Sequence, residues 1–121
     1  ESKNTDDSND EASGSTLKCS QLLWSQDNAL NFLQKKSDNV KYDSIIASDI
    51  IYAMCVVEPM WETIQELLKP DGVFLFAFAR RQVAVTIDQV LEAGEKAGFT
   101  YTECEETDSG KDLFVYAFQW K

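Results

Sequence analysis

The sequence contains no histidine, and among its 121 residues it has only two prolines, five glycines, three cysteines and 11 basic residues against 21 acidic ones. Each shortage excludes something. Without histidine, Ser–His–Asp and Cys–His nucleophile systems and most zinc sites are ruled out, so any chemistry must run on carboxylates, tyrosine, lysine or a bound cofactor. The cysteines, Cys19, Cys55 and Cys104, are odd in number and widely spaced, so neither a disulfide framework nor a CxxC metal site is expected. That usage suits a reducing, cytoplasmic setting. The glycines, Gly14, Gly72, Gly94, Gly98 and Gly110, are scattered and form no GxGxxG turn. With a formal net charge of −10, the chain lacks the clustered Lys and Arg that a phosphate backbone needs, so nucleic acid is not an expected partner and a basic protein segment suits the surface better. No apolar run is long enough to cross a bilayer, so no membrane partner is expected either.

What is present is enough apolar material, 44% of the residues, for one compact domain. Residues 1–16, ESKNTDDSNDEASGST, offer almost nothing to bury and read as an acidic low-complexity linker or loop. The folded part is therefore expected over residues 17–121. Leu17–Trp24 is short, partly alternating and bounded by polar stretches, which predicts a strand. Ser25–Lys36 follows as a short helix behind the caps Ser25 and Asp27. Tyr42–Tyr52, YDSIIASDIIY, has a nearly continuous β-branched run, the pattern of a central strand covered on both faces. A helix starting near Pro59 ends at the turn Lys69–Gly72, KPDG, and Val73–Ala79 reads as a second fully buried strand. A further helix is expected over Gln82–Ala97, stopped by Gly98, and strands over Thr100–Glu106 and Leu113–Trp120. The short turn between these last two makes them antiparallel.

Strands alternating with crossover helices predict an α/β fold, a mostly parallel sheet with an antiparallel last strand. Ligands of such open sheets sit beyond the carboxyl ends of the strands, and Asp49 and Tyr52 stand at one such end.

With these residues in view, the segment from Leu23 to Lys121 resembles the C-terminal half of the seven-stranded, Rossmann-like, S-adenosylmethionine-dependent methyltransferases, and among them the protein-lysine branch sometimes called family 16. The resemblance rests on Leu23-Trp24 closing a strand, on the YDxIIAxDxxY form of Tyr42–Tyr52, and on the KPDG turn before a buried strand. Its most specific element is the Asp-x-x-Tyr motif, Asp49-Ile50-Ile51-Tyr52. It implies S-adenosylmethionine as cofactor, with Trp24 beside the adenine and Ser48 near the same ligand. It also implies catalytic candidates, Asp49 and Tyr52, at the rim of a pocket that receives the methyl-accepting lysine of a protein substrate. Methyl transfer from a sulfonium to a neutral amine needs alignment and partial desolvation more than a strong base, so the missing histidine is no obstacle. The residues also admit plainer roles: Asp49 as a helix cap, Tyr52 and Trp24 as packing aromatics.

The chain departs from the family where the cofactor is usually gripped. No strand with a glycine-rich turn, and no second strand ending in a ribose-binding acid, precedes Leu17. The expectation is thus the C-terminal part of a methyltransferase, inactive by itself, whose partner is the missing N-terminal half of the domain. The strand at Tyr42–Tyr52 would then expose an edge. The alternative of another class is a non-catalytic interaction module built on the same fold. Methylation of RNA or of a small molecule is disfavoured by the charge and by the Asp-x-x-Tyr match.

Overall fold

The computed structural model describes residues 17–51, 53–79 and 85–121. Its elements in chain order are α1 (Gln26–Lys36), β1 (Tyr42–Ser48), a 3-10 turn (Met54–Val56) leading into α2 (Val57–Leu67), β2 (Leu68–Ala79), α3 (Ile87–Lys96), β3 (Phe99–Glu103) and β4 (Leu113–Trp120). The four strands form one sheet in the order β1-β2-β4-β3. β1 and β2 are parallel, while β4 lies antiparallel to both β2 and β3. The last strand is therefore inserted between two earlier ones, which gives the α/β, Rossmann-like arrangement that the sequence predicts.

Local chemistry explains most boundaries. Ser25 caps α1 by accepting the Asn28 N–H at 3.0 Å. Thr86 opens α3 with a reciprocal capping box, its hydroxyl accepting from the Gln89 N–H while its own N–H donates to Gln89 Oε1. Gly98, at φ +104°, closes α3 in a conformation that a side chain would strain, and Phe99 is buried immediately after it. α2 runs into β2 at Leu67–Leu68 without a loop. The KPDG stretch, expected as a turn between the two, lies within the strand assignment as a register irregularity: Tyr42 pairs with Leu68, but Ser44 already pairs with Val73. Gly72 is needed there. A Cβ on it would stand 2.7 Å from Leu68 Cδ1 and 3.0 Å from the Asp43 carbonyl oxygen.

All three helices pack on one face of the sheet. The core joins Val57, Met60, Trp61 and Ile64 of α2 and Val90 and Leu91 of α3 to Phe74, Phe76 and Phe78 of β2 and to Phe114, Tyr116 and Phe118 of β4. Trp61 is its centre, with ring centroids 5.6 Å from Phe74, 5.2 Å from Phe99 and 4.7 Å from Phe118, and its Nε1–H donates to the Val90 carbonyl at 3.3 Å. A smaller cluster, Ala29, Leu33 and Leu67 with Leu22, Phe32 and Ile45 at its border, seats α1 against α2 and β1.

Three expectations need correction. Leu17–Trp24 is not a strand but irregular chain. Its backbone has no neighbouring strand among the described residues, and alternation alone does not make a strand without a ladder partner. β1 is an edge strand rather than a central one, and it stops at Ser48, so Ile50 and Ile51 lie beyond it. Nor are β1 and β2 covered on both faces. Val73, Leu75 and Ala77 of β2, Val115 and Ala117 of β4 and Ile46 of β1 lie on the face without helices, where Ile46 is 77% and Leu75 40% exposed. The continuous apolar runs do encode two-sided burial, but the described residues supply cover for one side.

Candidate functional site

The carboxyl end of β1 is built by Asp49. Its φ of +54° lies in the left-handed region, which asparagine and aspartate tolerate better than other side chains and which ends a strand by turning the chain. Two bonds tie this turn to β2. The Asp49 N–H donates to the Ala77 carbonyl at 3.0 Å, and Asp49 Oδ1 accepts the Ala79 N–H at 3.1 Å. Beyond the turn, Ile51 enters the main core and Ile50 stays half-buried against it.

From the other side, the irregular chain before α1 brings Trp24 onto the main core and Leu22 onto the smaller cluster, leaving Leu23 65% exposed. Leu22, Leu23 and Trp24 meet Ile50, Val56 and Pro59 around an open, mostly apolar depression of about 540 Å³. A flat aromatic heterocycle is the kind of group such a wall binds, because its gain comes from burying apolar faces rather than from hydrogen bonds. A groove of similar size, about 580 Å³, runs between α2 and α3 past Met54, Glu58, Glu62 and Glu92, and is not lined by Trp24, Ser48 or Asp49.

Of the four expected site residues, Trp24 lines the depression and Asp49 adjoins it through Ile50. Ser48 does not line it. Its register opposite Ala77 puts it with Ile46 on the face without helices. Tyr52 lies outside the described residues, as do Arg80, Arg81 and Val83. The sequence reading gave no site role to Leu22, Ile50, Val56 and Pro59, although Leu22 adjoins Leu23-Trp24 and Ile50 lies inside the Asp-x-x-Tyr motif, and a shared apolar wall was the signal available. The bond from Asp49 to β2 has no sequence signature at all.

Electrostatics around the site are simple. Among the described residues no group of three or more His, Cys, Asp or Glu side chains could hold a metal ion. The one ion pair found among them, Lys69 Nζ to Asp43 Oδ1 at 2.9 Å, bridges the starts of β1 and β2, away from the depression, and its hydrogen bond to Asp43 raises the lysine above its ordinary range. Burial likewise raises the Tyr116 phenol in the core, with the charge of Glu103 adding to it.

An inserted antiparallel strand beside a parallel pair is the strand arrangement of a Rossmann-like methyltransferase fold. Solved structures agree on the fold. A TehB-like SAM-dependent methyltransferase from Corynebacterium glutamicum superposes with a TM-score of 0.57 at 24% identity, covering 68% of this chain and 49% of its own. The fibrillarin pre-rRNA processing protein of Methanococcus jannaschii gives 0.58 at 19%, covering 82% and 44%. A SAM-dependent methyltransferase from Bacteroides fragilis, in complex with S-adenosyl-L-homocysteine, gives 0.51 at 13%, covering 66% and 48%. The chain thus spans about half the length of each. No curated protein matches the sequence significantly. A family model described as lysine methyltransferase matches residues 2–92, and the chain belongs to that family. Among the described residues no helix is long and apolar enough to cross a membrane.

Proposed function

We propose that this chain is the C-terminal part of a cytoplasmic, S-adenosylmethionine-dependent enzyme that methylates a lysine side chain of a protein substrate, and that it is inactive until an upstream half completes the domain. The observation that carries the reading is the depression at the carboxyl end of β1, where Trp24 and Ile50 form one apolar wall next to Asp49. That wall fits the purine of the cofactor. The glycine-rich turn and the ribose-binding acid that would hold its remainder would come from the upstream half. When bound, the cofactor supplies an electrophilic sulfonium methyl group. This chain's residues would seat the purine at Trp24 and border the acceptor lysine with Asp49 and Tyr52, excluding water from one side. Trp24 is the stronger of the two cofactor candidates, since Ser48 lies outside the depression. Residues 1–16 would serve as an acidic linker or loop within the longer polypeptide.

A second reading, a non-catalytic interaction module, is favoured by one observation: the apolar face and the open β1 edge offer a ready surface for another protein. Titration calorimetry with S-adenosylmethionine separates the two. The enzyme reading expects heat and lysine methylation from a polypeptide extended upstream and neither from residues 1–121 alone; no heat from the extended polypeptide supports the interaction module.

A further inference from the structure

We infer that Asp49 is a positioning residue: its carboxylate fastens the carboxyl ends of β1 and β2 together and so sets the wall of the Trp24 depression, rather than acting as the charge that meets the incoming amine. The inference rests on the methyltransferase reading for its consequence in turnover, but not for its structural content. Three observations carry it. The carboxylate Oδ1 takes the Ala79 N–H at 3.1 Å, and Ala79 is the last residue of β2. The Asp49 N–H donates to the Ala77 carbonyl at 3.0 Å, so the residue grips β2 at two points, one on either side of Phe78. Its left-handed conformation, φ +54°, directs the chain out of the strand and delivers Ile50 to the depression and Ile51 to the core.

A side chain used in this way needs an acceptor oxygen and tolerance of the left-handed region, and does not need a charge. Asparagine has both, glycine has the backbone tolerance alone, and alanine has neither. A residue whose task is to attract an ammonium needs the charge, and asparagine fails it as badly as alanine does. The two roles therefore order the same substitutions differently.

The test uses Asp49→Asn, Asp49→Gly and Asp49→Ala in the polypeptide extended upstream, with three readouts. Amide hydrogen exchange at Ala79 is expected to stay slow in the Asn variant and to quicken by about tenfold or more in the Gly and Ala variants, because the last N–H of β2 loses its hydrogen-bond acceptor. The indole resonance of Trp24 is expected to move in the same order. For methyl transfer to a lysine peptide, kcat/KM is expected to fall furthest in the Ala variant, with the Asn variant recovering most of that loss. The inference is overturned if Ala79 exchange is unchanged in the Gly and Ala variants, or if the Asn variant protects Ala79 and still loses as much turnover as the Ala variant. If the unsubstituted polypeptide neither binds S-adenosylmethionine nor methylates lysine, the proposed function fails while the exchange readout still decides the role of Asp49.

Discussion

Gly94 shows how much of this core depends on a side chain that is absent. A Cβ placed on it would stand 2.6 Å from Cζ2 of Trp61, whose ring is held by three phenylalanines and by the bond to Val90. Alanine gains about 1 kcal/mol of helix propensity over glycine, whereas overpacking a rigid core costs about 1–3 kcal/mol. Gly94→Ala is therefore expected to destabilise by about 1 kcal/mol, read as a lower urea midpoint with an unchanged slope. Tyr116 gives a second residue-scale expectation. Burial raises its phenol, so the folded chain holds that proton more tightly than the unfolded one, whose phenol releases it near the ordinary value of 10.0. Its contribution is then fully present below pH 10.0 and is lost as the pH climbs toward the raised folded value. Lys69, raised by its bond to Asp43, adds loss in the same direction. Stability measured by denaturation should fall on the alkaline side, and Tyr116→Phe should make that fall less steep.

At the scale of elements, some helix ends were well signalled and others were not. Ser25 and Gly98 each mark a helix end by a mechanism confined to a few neighbouring residues, and such local chemistry is readable without knowing the fold, whereas the capping box at Thr86 went unread and α3 begins at Ile87, not Gln82. Leu113–Trp120 was recovered with the expected bounds, because an alternating run beside a short turn needs only its hairpin partner. Leu17–Trp24 failed for the opposite reason: a strand there depends on a neighbour far away in the chain, and its pattern alone could not say whether one exists. The end of β1 was likewise hidden, since Ile50 and Ile51 prolong an apolar run that the left-handed Asp49 breaks. Thr86→Ala removes one half of the capping box of α3 and is expected to cost about 1 kcal/mol. Thermal unfolding followed by helical circular dichroism measures it, and Thr86→Ser should restore most of the loss.

At the scale of the molecule, the sequence carried the sheet's composition but not its surroundings. The runs in β1 and β2 imply helices on both faces, and the described residues place all three on one. Ile46 turns this into an experiment. In residues 1–121 alone it is 77% exposed, so Ile46→Ala should change stability by no more than about 0.5 kcal/mol. In a polypeptide whose upstream half covers that face, the same substitution should cost about 2–4 kcal/mol. Equal small effects in both would mean that nothing covers the face.

The insertion of β4 between β2 and β3 also orders events during synthesis. The second edge of β2 stays open while α3 and β3 are being made, and only the emergence of β4, with its bonds to both neighbours, closes the sheet. Until then a nascent chain carries Phe74, Phe76 and Phe78 on a strand with one paired edge at most, which makes that interval the one in which a chaperone has most to protect. A ribosome paused after β3 would therefore hold a molecule with most of its core residues already made and only the β1–β2 ladder to hold its sheet together.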